Sequence, residues 1–248
     1  MTARRLFAPE LGEPGALIEL PAESARHAQV LRLAAGAALV LFDGALGEAD
    51  AELVELGRSR ASARVLARRT LPAAHPALHL VLGLPKGGKL EDIARMLGEL
   101  GVASLRLAQT ERSVPRLEPG TSRFARLARV ALEACAQSGQ AQALAVHPPA
   151  LLLDVARRAP AHALRLVFWE NAHTPLAEHD ARAGSAGSAD ASELWAVVGP
   201  EGGLAEDEVA ALVALGYRSV GLGPARLRVE TAAPVIAGLL LARHGRLR

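Results

Sequence analysis

Apolar positions along the chain fall into two regimes that change over near residue 75. Over the first 70 residues they come as short runs (ALIEL, ALVLFDG, ADAELVEL and ARVLARR) broken by Gly, Pro and an Asp-Gly pair, with one short helical piece around residues 22–33. Runs of that length bounded by turn formers predict a small barrel-like β domain. LPAAHPA, at 71–77, carries two prolines and three alanines and marks a boundary, giving a first domain over 1–72 and a second over 73–248. From residue 78 the pattern becomes strand then helix: LHLVLGLP and KLEDIARMLGELG, ASLRLAQ and TSRFARLARVALEACAQSG, ALAV and a short helix at 150–157. LRLVFWE, ELWAVV with its helix, RSVGLG and ETAAPVIAGLLLARHG complete the series. Such alternation predicts an α/β domain with a mainly parallel sheet covered by helices on both faces. The segment 177–192, AEHDARAGSAGSADAS, is rich in Gly, Ser and Ala and reads as a flexible surface loop.

Ligands of such sheets bind beyond the carboxyl ends of the strands. Three loops qualify: WENA after 163–168, GPEGG after 193–198 and GPARLRVET after 218–222. In VVGPEGGLAEDE (197–208), Glu201 sits in a strand-to-helix turn, because the following segment repeats apolar residues at Val209, Leu212 and Val213. Glycines there let the backbone come close to a ligand, and the next helix offers free N–H groups and a positive dipole end. A phosphate cradle would leave that end bare and place a Lys nearby. Here Glu201, Glu206, Asp207 and Glu208 occupy it instead. A ligand with hydroxyls, an amine or a positive centre fits better. In LGPARLRVETAAPVIAGLLLARH (222–244) a Gly-Pro turn leads through two arginines into an apolar helix. Glu230 is electrostatically favoured near that helix start and Thr231 is a candidate cap. Arg228 is a cation in an unfavourable place unless it holds an anion, an RNA phosphate or Glu230.

Composition narrows the remaining classes. With 248 residues and 50% apolar content the chain can bury a sizeable core. It contains no uninterrupted apolar run of 18 residues, and MTARRLFAPELGEPG lacks the apolar stretch of a signal peptide, so no membrane span and a cytoplasmic location are expected. The lone cysteine, Cys135, excludes an intrachain disulfide and reads as a small buried residue. No metal site is expected: His75 and His79 are four apart, but Pro76 between them and the strand-like run that follows argue against a helical metal pair. Formal charge is only +2, and residues 1–70 hold nine Arg against nine acidic groups, so charge by itself does not call for nucleic acid. His27 lies on a short amphipathic piece with Val30, Leu31 and Leu33; it is either partly buried or, beside Arg26 and Arg32, in contact with a polyanion. Lys86 and Lys89 are the only lysines in the chain and lie at the end of the first strand of the second domain, a placement that favours function.

GPEGG followed by LGPARLRVET resembles the two C-terminal motifs of SPOUT-class RNA methyltransferases, specifically the RsmE type that methylates N3 of a uridine in small-subunit (16S) ribosomal RNA. KGGKLEDIARMLGELGV, TERSV and EACAQSG resemble further stretches of that family, and RRLFAP with HAQVLRLAAGAALVLFDG is similar to its N-terminal PUA-like RNA-binding domain. The resemblance implies S-adenosylmethionine as methyl donor, a trefoil knot, and a homodimer in which two subunits build each active site; none of these follows from periodicity. It implies a donor pocket of Gly199, Pro200, Glu201, Gly202, Leu222, Gly223, Leu227 and Arg228 with Glu170 at its edge. The catalytic candidates are Arg228, facing the anionic base, and Glu230 or Glu201, for positioning or proton acceptance. RNA contacts would fall to Arg4, Arg5, His27 and Arg32 in the first domain and to Lys86 and Arg112 near the catalytic mouth. Three positions depart from the family pattern: Ala205 replaces a Ser or Thr cap worth about 1 kcal/mol, Val229 replaces a Thr, and Gln140 stands where a basic residue is usual. Two alternatives remain: a nucleotide-binding enzyme using GPEGG as a phosphate loop, and a non-catalytic RNA-binding or ribosome-associated protein with the same fold.

Overall fold

The computed structural model describes residues 4–113, 122–181 and 192–247. The chain divides into two compact units, Met1–Ala73 with Leu132–Ala143, and Ala74–Ala131 with Leu144–Arg248. Of the Gly/Ser-rich segment, 182–191 lies outside the described residues.

In the first unit, β1 (Arg5–Phe7), β2 (Leu17–Leu20), β3 (Ala38–Phe42), β4 (Gly47–Leu56) and β5 (Ala61–Thr70) form one sheet in the order β1-β3-β4-β5-β2. β1 runs parallel to β3 and the other pairs are antiparallel. Along β4, Ala49, Ala51 and Leu53 are buried while Asp50, Glu52 and Val54 are exposed, the period of two that a half-buried strand imposes. Helix α1 (Ala22–Val30) turns Ser24, Ala25 and Ala28 inward. The expected apolar face at its end is not formed: Val30 is 77% and Leu31 40% exposed. Val30 lies two positions past the buried Ala28, off the inward face, and Leu31 is already the C-cap; Arg32 then takes a φ of 53° and Leu33 is buried instead. His27, on the same helix, is exposed rather than partly buried.

Arg5 faces inward, contrary to its expected RNA role. It pairs with Glu48, which is only 4% exposed, donates from Nη2 to the Gln140 carbonyl at 2.9 Å and lies 4.9 Å over the Phe42 ring. A buried carboxylate requires such partners, and Arg69 supplies a second at 2.8 Å while also holding Asp50 at 2.9 Å. Gln140 shares in this through its backbone, also accepting the Cys135 thiol at 3.1 Å.

In the second unit, β6 (Ala77–Gly83), β7 (Ser104–Gln109), β8 (Ala145–Leu151), β9 (Leu164–Phe168), β10 (Glu193–Val198) and β11 (Arg218–Val220) form a sheet in the order β11-β9-β10-β6-β7-β8, every pair parallel. Leu78, Leu80 and Leu82 of β6 share a core with Leu90, Ile93 and Leu97 of α2 (Lys89–Glu99), Leu127 of α3 (Ser122–Ser138) and Ile236 and Leu240 of α7 (Val229–Arg243). On the other face Val81, Val167, Trp195 and Val197 pack with Val155 of α4 (Leu152–Ala156) and Val209 and Leu212 of α6 (Glu206–Ala214). Burial on both faces is why these strands read as continuous apolar runs. A further short helix, α5 (Leu176–Ala181), follows β9, so residues 177–181 of the segment expected as a loop are helical. The helix expected at 150–157 starts later, because β8 runs on to Leu151; its Pro148 and Pro149 are accommodated on an edge strand at a register shift between His147 and Ala150 that passes over them in the pairing with β7. His79 lies on β6, with Nδ1 2.7 Å from Ser104 Oγ and Nε2 3.4 Å from Glu193 Oε2, and no metal-binding group of His, Cys, Asp and Glu occurs among the described residues. Among them, too, no helix is long and apolar enough to cross a membrane.

Burial pushes the Cys135 thiol up to about 11. At pH 8 a thiol-disulfide reagent should therefore react with it slowly in the folded protein and rapidly in denaturant, since only the thiolate attacks. Equal rates in the two states would show that the thiol is not held as described.

Candidate functional site

The neighbouring strands β11, β9 and β10 point the same way, so the loops that leave their carboxyl ends meet at one edge of the sheet. Between these loops lies a cavity of about 860 Å³. Glu170, Gly199, Pro200, Glu201, Gly202, Leu222, Gly223, Leu227 and Arg228 all line it. The lining also includes Phe168, Val198, Val229, Ala232 and Ile236 as apolar wall and His173 and Arg226 as polar members, none of them named for the pocket from the sequence. Val229, Ala232 and Ile236 stand at i, i+3 and i+7 on α7, a spacing that marks one helical face and was legible in the sequence. Val229, where a Thr is usual, is buried and supplies apolar wall.

The loops interlock through two positions where no side chain fits. Gly203 has a φ of +70° and donates its N–H to Pro200 O at 2.8 Å; a Cβ there would stand 2.2 Å from Glu170 Oε1. A Cβ on Gly221 would stand 2.2 Å from the Ala172 carbonyl oxygen, and the Gly221 N–H donates to Thr174 O at 2.9 Å. The turn after β10 thus touches the one after β9, which in turn touches the one after β11.

Glu201 ties this turn to a fourth segment, the one between β6 and α2. The Lys86 N–H lies 3.1 Å from each Glu201 oxygen, and Lys89 Nζ donates to Oε1 at 3.1 Å. Lys89 Nζ is also 3.1 Å from Glu230 Oε2, an ion contact without hydrogen-bond angles. Partial burial pulls Glu201 upward, but its own N–H, that of Lys86 and the Lys89 ammonium outweigh this and hold it below the usual carboxylate range. Glu230 is lowered by its own backbone N–H and then by Lys89, and the two carboxylates in return raise Lys89. Glu230 does not line the cavity.

Arg228 is the N-cap of α7 and is exposed, with its carbonyl accepting the N–H groups of Thr231 and Ala232. No side chain caps this helix, so Thr231 does not act as expected. At α6 the N-cap is Ala205, which has no acceptor to offer; Glu208 makes the returning half of a capping box by accepting the Ala205 N–H at 3.0 Å. Its other oxygen accepts the Glu111 N–H at 2.9 Å, and Arg112 Nη1 donates to Gly202 O at 3.0 Å. The acidic first turn of α6 is therefore in part a brace for the 110–113 turn, where Thr110 Oγ1 and Ser113 Oγ lie 2.8 Å apart. Of the residues expected to meet RNA, Arg4, His27 and Arg32 are exposed on the first unit and Lys86 and Arg112 on the second. Arg5 is spent on Glu48 and Gln140.

A family model described as an RNA methyltransferase domain matches residues 73–241, and one described as an RNA methyltransferase PUA domain matches residues 20–66. Ribosomal RNA small subunit methyltransferase E of Mycobacterium bovis is 34% identical over 248 residues, covering 96% of this chain and 91% of its own. The protein of that name from Bacillus subtilis is 29% identical over 228 residues, covering 89% and 88%. Among solved structures, ribosomal RNA small subunit methyltransferase E from Neisseria gonorrhoeae bound to S-adenosyl methionine aligns with a TM-score of 0.85 at 27% identity, over 97% of this chain and 98% of that one. A putative methyltransferase from Legionella pneumophila in complex with the same compound aligns with a TM-score of 0.86 at 26% identity, over 98% of each.

A carboxylate whose folded value is depressed stabilises the fold above its unfolded value, and that contribution is lost as pH falls through the folded one. Carbon-detected NMR of the Glu carboxyls should give midpoints for Glu201 and Glu230 below the ordinary value of about 4.3. The tie between the two turns then persists through that range and fails only in stronger acid. Midpoints at or above the ordinary value would contradict the geometry.

Proposed function

The chain belongs to the ribosomal RNA small subunit methyltransferase E family, and from that premise we propose that it transfers the methyl group of S-adenosylmethionine to N3 of a uridine in 16S ribosomal RNA. The observation that carries this reading is the cavity at the carboxyl ends of β9, β10 and β11. Its wall combines an apolar surface suited to an adenine with backbone groups suited to ribose hydroxyls, and its carboxylates, Glu170 and Glu201, favour an amine and a sulfonium over a phosphate. The acidic first turn of α6 points the same way.

When bound, the donor supplies an electrophilic methyl group on a positively charged sulfur. Gly199, Pro200, Gly202, Leu222, Gly223 and Leu227 hold it through backbone groups and apolar contact. Arg228, exposed on the cavity wall, faces the uracil oxygens and stabilises the negative charge that develops when the N3 proton leaves. Glu201 and Glu230 are assigned to positioning and not to proton acceptance, because carboxylates held in the ionised state by Lys89 are weak bases near neutral pH. The proton passes to solvent at the mouth. Arg4, His27 and Arg32 on the first unit bind RNA phosphates together with Lys86 and the free donors of Arg112, so that phosphate contacts position the strand while the base is read in the cavity.

The division of labour follows the proposed domains, 1–72 for RNA and 73–248 for methyl transfer, with the first closing into a PUA-like barrel. The second is assigned a trefoil knot around the cavity, a reading supported by the contact of Gly221 with the Ala172 carbonyl, where two of the cavity loops lie against each other. The active form is assigned as a homodimer, supported by α7, where Val235 and Leu239 are 39% and 42% exposed one turn apart. The reaction belongs in the cytoplasm, on free RNA or on the small subunit.

Mass spectrometry of 16S ribosomal RNA from cells with and without the gene should reveal one methyluridine that depends on it. Restoring the gene as Arg228→Ala should leave the mark missing while thermal unfolding of the variant stays within a few degrees of wild type. Full methylation by that variant would remove Arg228 from the mechanism, and an unchanged RNA in the deletion strain would refute the activity.

A further inference from the structure

Lys89 stands at the first position of α2, directly after the N-cap Gly88, where a cation meets the positive end of the helix dipole. It is also one of only two lysines in a chain whose other 26 basic residues are arginine. The carboxylates around it account for both facts. Nζ lies 3.1 Å from Glu201 Oε1 and 3.1 Å from Glu230 Oε2. Glu201 belongs to the turn after β10, and Glu230 to the first turn of α7, two residues beyond Arg228. Glu201 lines the cavity; Lys89 does not.

We propose that Lys89 is a positioning residue whose ammonium couples the 199–203 turn to the 222–230 segment, so that binding at one wall of the cavity sets the placement of Arg228 at the other. The ligand half of this inference rests on the methyltransferase reading; the structural half does not. A compact ammonium with three donors takes two carboxylates that converge on one point from different segments, whereas a guanidinium spreads its donors over a fixed plane and takes two carboxylates only where they lie along it, as Arg69 does with Glu48 and Asp50. Removing the charge leaves Glu201 and Glu230 converging on one point with nothing between them, and like charges so placed repel. The two segments then separate, and the energy that donor binding spends on one is no longer shared by the other. Coupling of that kind is reciprocal, so a donor held by 199–203 tightens 222–230 to the same degree.

The test uses the full chain as Lys89→Met and Lys89→Arg. In hydrogen exchange without ligand, Lys89→Met should accelerate peptides covering 199–203 and 222–230 together, with those of β6 and β9 unchanged. Its affinity for S-adenosylmethionine in a calorimeter should fall by about tenfold, turnover should fall with it, and the acid limb of activity should move to higher pH as the two carboxylates lose their partner. Lys89→Arg should recover part of the affinity and less of the turnover. Acceleration of one segment alone, equal exchange in variant and wild type, or acceleration that spreads through β6 and β9 would overturn the coupling. If the wild type fails to bind S-adenosylmethionine while both segments still loosen together in Lys89→Met, the coupling stands and the methyltransferase reading fails.

Discussion

The candidate site depends on three adjacent strands, β11, β9 and β10, running in the same direction. Parallel neighbours deliver their outgoing loops to one edge of the sheet, and only there can turns as far apart in sequence as Glu170 and Gly203, or Ala172 and Gly221, come into contact. Gly203 beneath the Glu170 carboxylate and Gly221 against the Ala172 carbonyl are the points at which that touching would be blocked by any side chain. The cavity is what remains between turns packed this closely, and its shape is set by the sheet and not by the loops alone.

Electrostatics then decides what the cavity accepts. A turn followed by a helix N-terminus is by default an anion site. Here Glu201 enters the turn and Glu208 folds back on the first turn of α6, accepting the N–H groups of Ala205 and Glu111. The amide that opens α6, that of Ala205, is engaged by the protein's own carboxylate, and the acidic first turn opposes a phosphate at the rest. Glu201 and Glu230 share the single ammonium of Lys89, which keeps both ionised, makes them braces for the cavity wall and leaves the cluster with a net negative charge. The acid that stands out in GPEGG thus serves mainly to join two segments, and only its position on the wall gives it any contact with a ligand.

Much of this was legible from the sequence. The all-apolar runs of β6, β9 and β10 announce strands buried on both faces, and the Gly-Pro turns at 199–200 and 223–224 mark where strand order gives way to ligand loops. What escaped is one helix end and two long-range contacts. Val30 and Leu31 continue a helical pattern in sequence, yet the helix buries its small residues, Ser24, Ala25 and Ala28, and leaves both of them exposed. Arg5 is indistinguishable from Arg4 by composition, and only the pairing of β1 with β3, itself paired with β4, brings it to the buried Glu48. The meeting of Lys89 with Glu201 and Glu230 joins residues more than 100 positions apart, and no periodicity encodes it. The knot, the donor and the substrate enter from family resemblance, since they concern threading and ligand identity, to which hydrophobic pattern is blind.

The central claim is that this cavity is shaped for a methylated sulfonium nucleoside. The most direct measurement is a crystal structure of the protein grown with S-adenosylmethionine and, in parallel, with ATP. The account predicts density for the former between the 199–203 and 222–228 turns, and none for the latter. ATP seated in those turns, or S-adenosylmethionine bound elsewhere on the molecule, would contradict it.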